Sequence, residues 1–287
     1  MAIALALAAA VLFALLTIAI RIGQRQVSDT EAGAGAVMAI ACVPIAVAAL
    51  VADFHRLSID ELWPYLAAGA VVPGLTQPLI QWAIREAGVS RPMVVLGASP
   101  LASVAVAVAL LGESLGVATV AGTVLVVLGT VALAAERERP EHVRIAGLLA
   151  AGMCAATFAV RDNVVRAASR HYDPPPLAAG AASLVAGAAV GFALVLLVHR
   201  GSGVAQVRRA LRPMLPAGLC LTGAYSSLIA AFSFGPVTTV VPLNATQSLW
   251  TVIAASIFMS RSERVGRRLL VAALLVVAGG ALIGATR

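Results

Sequence analysis

The chain contains no lysine: all twenty basic residues among its 287 are arginine. Charged residues of any kind are scarce at 11%, aromatics are scarcer at 5%, and 61% of the chain is hydrophobic. A soluble domain carries about 25% charged residues. So little charge cannot clothe a 29 kDa globule in water, and lipid must solvate most of the exterior. Cysteine is rare as well. Cys42, Cys154 and Cys220 fall inside apolar runs without CxxC spacing, which reads as buried structural thiols rather than redox or metal chemistry. His55, His142, His171 and His199 sit in polar connections with no metal-ligand spacing. Neither a metal nor a cofactor is expected. The formal charge of +7 does not point to nucleic acid, because the arginines occupy short loops between apolar runs, where they act as topology determinants.

What is present is a series of apolar runs. A bilayer-spanning helix needs about 20 apolar residues. Ten runs meet that need: 2–22, 33–52, 62–84, 92–111, 115–135, 145–165, 177–198, 213–233, 238–259 and 268–285. The first has no positively charged start and exceeds the ~7–15-residue core of a signal peptide, so it reads as a retained helix. The longest polar connections, 53–61, 136–144, 166–176 and 199–212, leave no room for a soluble domain.

The two halves resemble each other. TIAIR at 17–21 matches TFAVR at 157–161, LGASP at 96–100 matches LNATQ at 243–247, and LVVLG at 125–129 matches LVVAG at 275–279. The three matches keep chain order, and the offset grows only across loops. Two five-helix repeats, 1–138 and 139–287, follow. An odd helix count per repeat sets the halves in opposite orientations, an architecture that lets a transporter open to either side. The fold class expected is all-α integral membrane, with ten transmembrane helices as two inverted repeats around a central cavity. Fifteen arginines lie on the side of the odd-to-even loops and five on the other: Arg56, Arg161, Arg166, Arg170 and Arg287. By the positive-inside rule the richer side is cytoplasmic and both termini face outward.

LGASPLASVAVAVALLGES at 96–114 resembles the end of an EamA-type repeat, with Ser-Pro, small and branched apolar residues and then Leu-Gly-Glu, and AGTVLVVLGTVAL at 121–133 resembles that repeat's last helix. The whole chain is similar to the ten-helix drug/metabolite transporter plan. In the second half Pro100 corresponds to Gln247, and Leu-Gly-Glu gives way to Phe258-Met259-Ser260 and an arginine-rich loop. The resemblance implies a carrier for small metabolites in a bacterial inner membrane, among whose relatives are amino acid exporters of the YddG type. It further implies that the third, fourth, eighth and ninth helices line the cavity.

Candidate substrate residues are those that interrupt the apolar runs. Arg21 and Arg161 occupy matching positions near helix ends, where a long side chain either snorkels to the headgroups or faces a cavity and holds a carboxylate. Asp162 pairs more naturally with Arg166, one turn on, than with adjacent Arg161, because neighbours point about 100° apart. It is either a structural ion-pair partner or a proton or amine site. Gln77, Gln81, Ser99, Tyr225, Asn244 and Gln247 interrupt spans three, four, eight and nine, and Asn244, Gln247 and Thr251 share one helical face. Each either lines the cavity or joins helices. Trp82 and Trp250 are cavity walls or space fillers. Pro73, Pro78, Pro100 and Pro242 mark bends. Gly187 to Gly191 is a GxxxG for close packing, and Glu113 a helix cap.

These features favour a transporter of amino acids (aromatic or other apolar ones) or related metabolites, without tight proton coupling and without catalysis. Its partners are the small-molecule substrate and the bilayer, with monomer and homo-oligomer both open. An exporter of lipophilic cations is disfavoured by the lack of an acidic residue in 2–20. A lipid-modifying enzyme would need a surface catalytic cluster, and Arg170, His171 and Asp173 in one short loop are all there is. A purely structural subunit has no use for polar faces mid-span.

Overall fold

A computed structural model describes residues 1–56, 58–96, 99, 103, 106, 108–110, 112, 116–134, 145–199, 201–258, 271, 274, 275, 278, 279 and 282. The described residues form helices and turns, with no strand among them. The helices are α1 (Ala2–Gly23), α2 (Thr30–Asp53), α3 (Ile59–Gly69), α4 (Thr76–Ala87), α5 (Ser90–Leu96), α6 (Val117–Ala134), α7 (Ile145–His171), α8 (Pro176–His199), α9 (Gly203–Phe234), α10 (Val237–Asn244) and α11 (Gln247–Phe258). Pro100, Glu113, the 136–144 connection and most of the run 268–285 lie outside the described residues.

Boundaries follow local chemistry. Asp29 accepts the Ala32 N–H at 2.9 Å and caps α2, with Glu31 in the first turn, where negative charge is favoured. α4 stops at Gly88, whose φ of +80° L side chains avoid. The lipid-facing side of each long helix is apolar: Val43, Val47, Leu50 and Val51 of α2 are exposed, as are Leu215 and Leu219 of α9. The protein-facing sides carry small residues. Ala6, Ala9, Ala10 and Ala14 of α1 are buried, which lets backbones approach where burial from water cannot drive association.

The repeats interleave. α1 packs on α9 and α11, α2 on α8 and α9, α3 on α8, and α4 on α7. A Cβ added to Gly69 would run into the Ser183 backbone of α8, and one added to Gly187 would meet Met38 Cε at 2.7 Å and Gly69 O at 3.1 Å. The GxxxG therefore works as a close-packing seam. Ser183 Oγ ties the same seam by donating to Tyr65 O at 2.9 Å.

Two expected single spans are broken. The run 62–84 becomes α3 and α4, joined by a π-helical segment, Ala70–Leu75, in which Val72 leaves helical geometry (φ −130°, ψ 110°) ahead of Pro73. Proline removes a donor and crowds the preceding turn. The run 238–259 becomes α10 and α11 about a turn at 245–246, just after Pro242. Pro78 sits in the first turn of α4 without a break, where its missing N–H costs little. Two expected connections prove helical in part. α7 continues to His171 and α9 begins at Gly203, because polar residues at the membrane surface need not end a helix.

Candidate functional site

The two breaks face each other across a central cavity of about 50 Å³, room for about three to five waters. α1 contributes Phe13, Leu16, Thr17 and Ile20 to its wall; the first break and α4 contribute Val72, Pro73, Thr76, Gln77 and Ile80. Met93 and Leu96 come from α5, Phe158 and Arg161 from α7, Leu221 and Tyr225 from α9, and Asn244 and Gln247 from either side of the second break. Five candidates are thereby brought together: Gln77, Arg161, Tyr225, Asn244 and Gln247.

Arg161 is the sole charged residue among the described lining residues. It is 5% exposed, and α7 continues ten residues beyond it to His171. The expectation that it lies in the last turns of its helix is corrected, and snorkelling is thereby ruled out for it. Its Nε faces Asp162 Oδ1 at 2.8 Å, and its guanidinium carbon sits 5.4 Å from the ring centres of both Phe158 and Tyr225, within cation–π range. Its Nη1 has no hydrogen-bond partner among the described residues, and neither have Gln77 Nε2, Thr76 Oγ1 and Asn244 Oδ1.

The carboxylate behind Arg161 is built in. Asp162 Oδ2 accepts from Ser103 Oγ at 3.3 Å, and Asn163 Nδ2 donates to Ser103 O at 3.0 Å and Ala159 O at 2.8 Å. The expected partner of Asp162, Arg166, donates instead to Phe232 O at 2.9 Å. Adjacent residues can pair here because an arginine side chain is long enough to curl back along its helix. Ser103 went unnoticed in the sequence, where it is one small residue in a run of alanine and valine. Phe158 carried a usable signal, three residues ahead of Arg161 and so on its face.

Tyr225 Oη donates to Val72 O at 2.6 Å, satisfying the carbonyl that the break in the third span exposes.

The remaining candidates lie off the cavity. Arg21, in the last turn of α1 and half-buried, reaches Ile84 O through Nη1 at 3.4 Å. Gln81 is buried against the α1–α2 connection, where its backbone carbonyl accepts from Gln24 Nε2 at 2.8 Å while its side-chain amide has no partner among the described residues. Trp82 packs on Ala83, Ala150 and Ala151. Trp250 is 37% exposed, and Ser99 is half-buried. Both tryptophans are thus placed outside the cavity wall, because a break upstream re-aims the helix that follows it. Thr251 is fully buried. At the other end of the bundle, His199 Nε2 lies 3.0 Å from Asp29 Oδ2. With Glu31 these form a three-residue cluster within 4.8 Å that ties the start of α2 to the end of α8.

The sequence matches the EamA-like transporter family over residues 1–135 and again over 145–285. The chain belongs to the EamA-like transporter family. As an EamA-like protein it is a multi-pass membrane transporter of small substrates, built from two inverted repeats. No curated protein matches it. A solved structure described only as a crystal structure of a protein is similar over 100% of this chain and 99% of its own, with a TM-score of 0.75 and 21% identity. That likeness shows a fold shared along the whole chain.

Proposed function

We propose that this carrier exports amino acids with apolar side chains, or closely related metabolites, across a bacterial inner membrane by alternating access. The observation that supports the reading is Arg161: a buried guanidinium with a free Nη1, the one charged group among the described residues that line a cavity between two broken helices. A guanidinium takes a carboxylate in charge-assisted hydrogen bonds, and broken helices at mid-membrane are where carriers hold substrate. The aliphatic and aromatic wall suits an apolar side chain. Cavity residues assigned to substrate are Arg161, Gln77, Tyr225, Asn244 and Gln247, with Asp162 holding Arg161 from behind.

The carrier runs down its substrate gradient. Its buried acid, Asp162, is committed to Arg161 and Ser103, which leaves it poorly placed to load and release a proton. In proteoliposomes, screened over the twenty amino acids, counterflow proceeds without an ion gradient, and an imposed pH gradient produces no accumulation. Accumulation driven by that gradient and abolished by Asp162→Asn would remove the uncoupled reading. Absence of counterflow for every amino acid would remove the substrate class.

Both termini face the periplasm, and the connection before α9 faces the cytoplasm. Ser202, exposed at that connection, and Arg287 are the reporters. In a cysteine-free background an impermeant thiol reagent outside intact cells labels Arg287→Cys and not Ser202→Cys. The reverse pattern inverts the assignment.

A further inference from the structure

The polar groups of the cavity are unequal in charge. On the donor side stand a guanidinium, through Arg161 Nη1, and the Gln77 amide, through Nε2. Both residues are more than nine-tenths buried, and both nitrogens lack a partner among the described residues. On the acceptor side, Asn244 Oδ1 and Thr76 Oγ1 are equally unpartnered, but neutral. No carboxylate is among the described residues that line the cavity, and Asp162 is ion-paired with Arg161 through Oδ1 and accepts from Ser103 Oγ through Oδ2. The N-terminal end of α4 also reaches the cavity through Thr76 and Gln77, and that end of a helix favours negative charge.

We infer that the cavity recognises its substrate by the carboxylate and the apolar side chain, and is indifferent to the charge of the 2-substituent, so that 2-hydroxy acids with apolar side chains are substrates alongside 2-amino acids. The inference rests on the proposed reading of the cavity as the transport site. The carboxylate goes to Arg161 Nη1 and Gln77 Nε2. The 2-substituent needs only to donate to a neutral oxygen, which a hydroxyl does as an ammonium does. An ammonium makes the stronger hydrogen bond, but it is buried without a counter-charge, and that cost offsets the gain. An amine that lacks the carboxylate would bring a cation beside a guanidinium and leave both donors unmet; it is excluded.

The test uses the purified full chain in proteoliposomes, read against protein-free liposomes, with two matched sets. One is valine, 2-hydroxyisovalerate and isobutylamine; the other is phenylalanine, 3-phenyllactate and phenethylamine. In at least one set the amino acid and the hydroxy acid move at rates within about tenfold of each other, the spread expected from exchanging one hydrogen-bond donor for another, while the amine does not move. Gln77→Leu slows both acids alike. Arg161→Gln combined with Asp162→Asn, which removes both charges of the ion pair together, slows both by about 10–100-fold. Movement of amino acids without hydroxy acids overturns the inference and leaves amino acid transport standing. Movement of hydroxy acids alone overturns the amino acid reading and the indifference to charge, and keeps the carboxylate subsite. Protein-dependent movement of amines without acids overturns the subsite, and stillness of all six overturns both readings.

Discussion

TIAIR in the first repeat and TFAVR in the second place one arginine each at matching positions, and the two arginines have different fates. Arg21 ends its helix, is half-buried and reaches a backbone carbonyl at 3.4 Å. Arg161 lies inside its helix, 5% exposed, on the wall of the cavity. The residue that follows explains the difference. Asp162 pairs with Arg161 at 2.8 Å, whereas the first repeat has Ile22, 42% exposed, at that place. An arginine in a membrane can be buried when a carboxylate comes with it, and otherwise it goes to the interface. A duplicated framework has thus been made asymmetric, with the one cation among the described cavity residues supplied by the second half.

The most damaging way to break this comparison is Asp162→Leu. It leaves a buried guanidinium without its counter-ion and should cost about 3–5 kcal/mol, seen as a large fall in the thermal unfolding temperature in detergent. A stability near that of the parent would mean that Arg161 is solvated and the cavity wet. Next comes the double change Arg161→Gln with Asp162→Asn, which keeps a hydrogen-bonding pair without charge. It should fold, and lose transport by about 10–100-fold, the loss expected for a charge-assisted hydrogen bond to substrate. Undiminished transport would take the arginine out of the site. Arg21→Gln should do much less, changing transport by under about fivefold, since an interfacial arginine contributes about 0–1 kcal/mol. A loss equal to that of the double variant would restore the symmetry between the repeats. The smallest effect is expected of Ile22→Asp, which gives the first repeat its missing carboxylate. At an exposed position such a pair changes stability by about 0–1 kcal/mol. Stabilisation well beyond that range in the same unfolding assay would show that Arg21 is more deeply placed than its neighbours suggest.

The apolar runs were legible because lipid makes a demand that composition alone answers. The runs 2–22, 33–52 and 177–198 correspond to helices Ala2–Gly23, Thr30–Asp53 and Pro176–His199. Helix ends in water were not legible. Arg208, Arg209 and Arg212 read as a loop, yet they belong to α9, because arginine is a good helix former and polarity marks only where the lipid stops. The cavity was legible in part. Gln77, Tyr225, Asn244 and Gln247 stand out as polar residues in apolar spans, and they do meet. Which neighbours share their face depends on the two breaks. Trp82 and Trp250 follow a break and point elsewhere, a consequence of three-dimensional geometry that no periodicity in the sequence carries. Ser103 could be found only by seeing it beside Asp162 and Asn163 of α7.

Tyr225 crosses from one repeat to the other to reach the Val72 carbonyl at 2.6 Å. Parting α9 from the bent third span would take away that oxygen's hydrogen bond, a loss of about 0.5–1.5 kcal/mol. The contact behaves as a rivet. Ser183 and Gly69, where α8 meets the same segment, hold a second seam beside it. α3, the bend, α8 and α9 are therefore tied to one another by both seams. α7 is fastened to the same block, since Arg166 Nη1 and Ser169 Oγ donate to Phe232 O of α9 at 2.9 and 3.4 Å, so that Arg161 is held in place by its own helix as well as by Asp162.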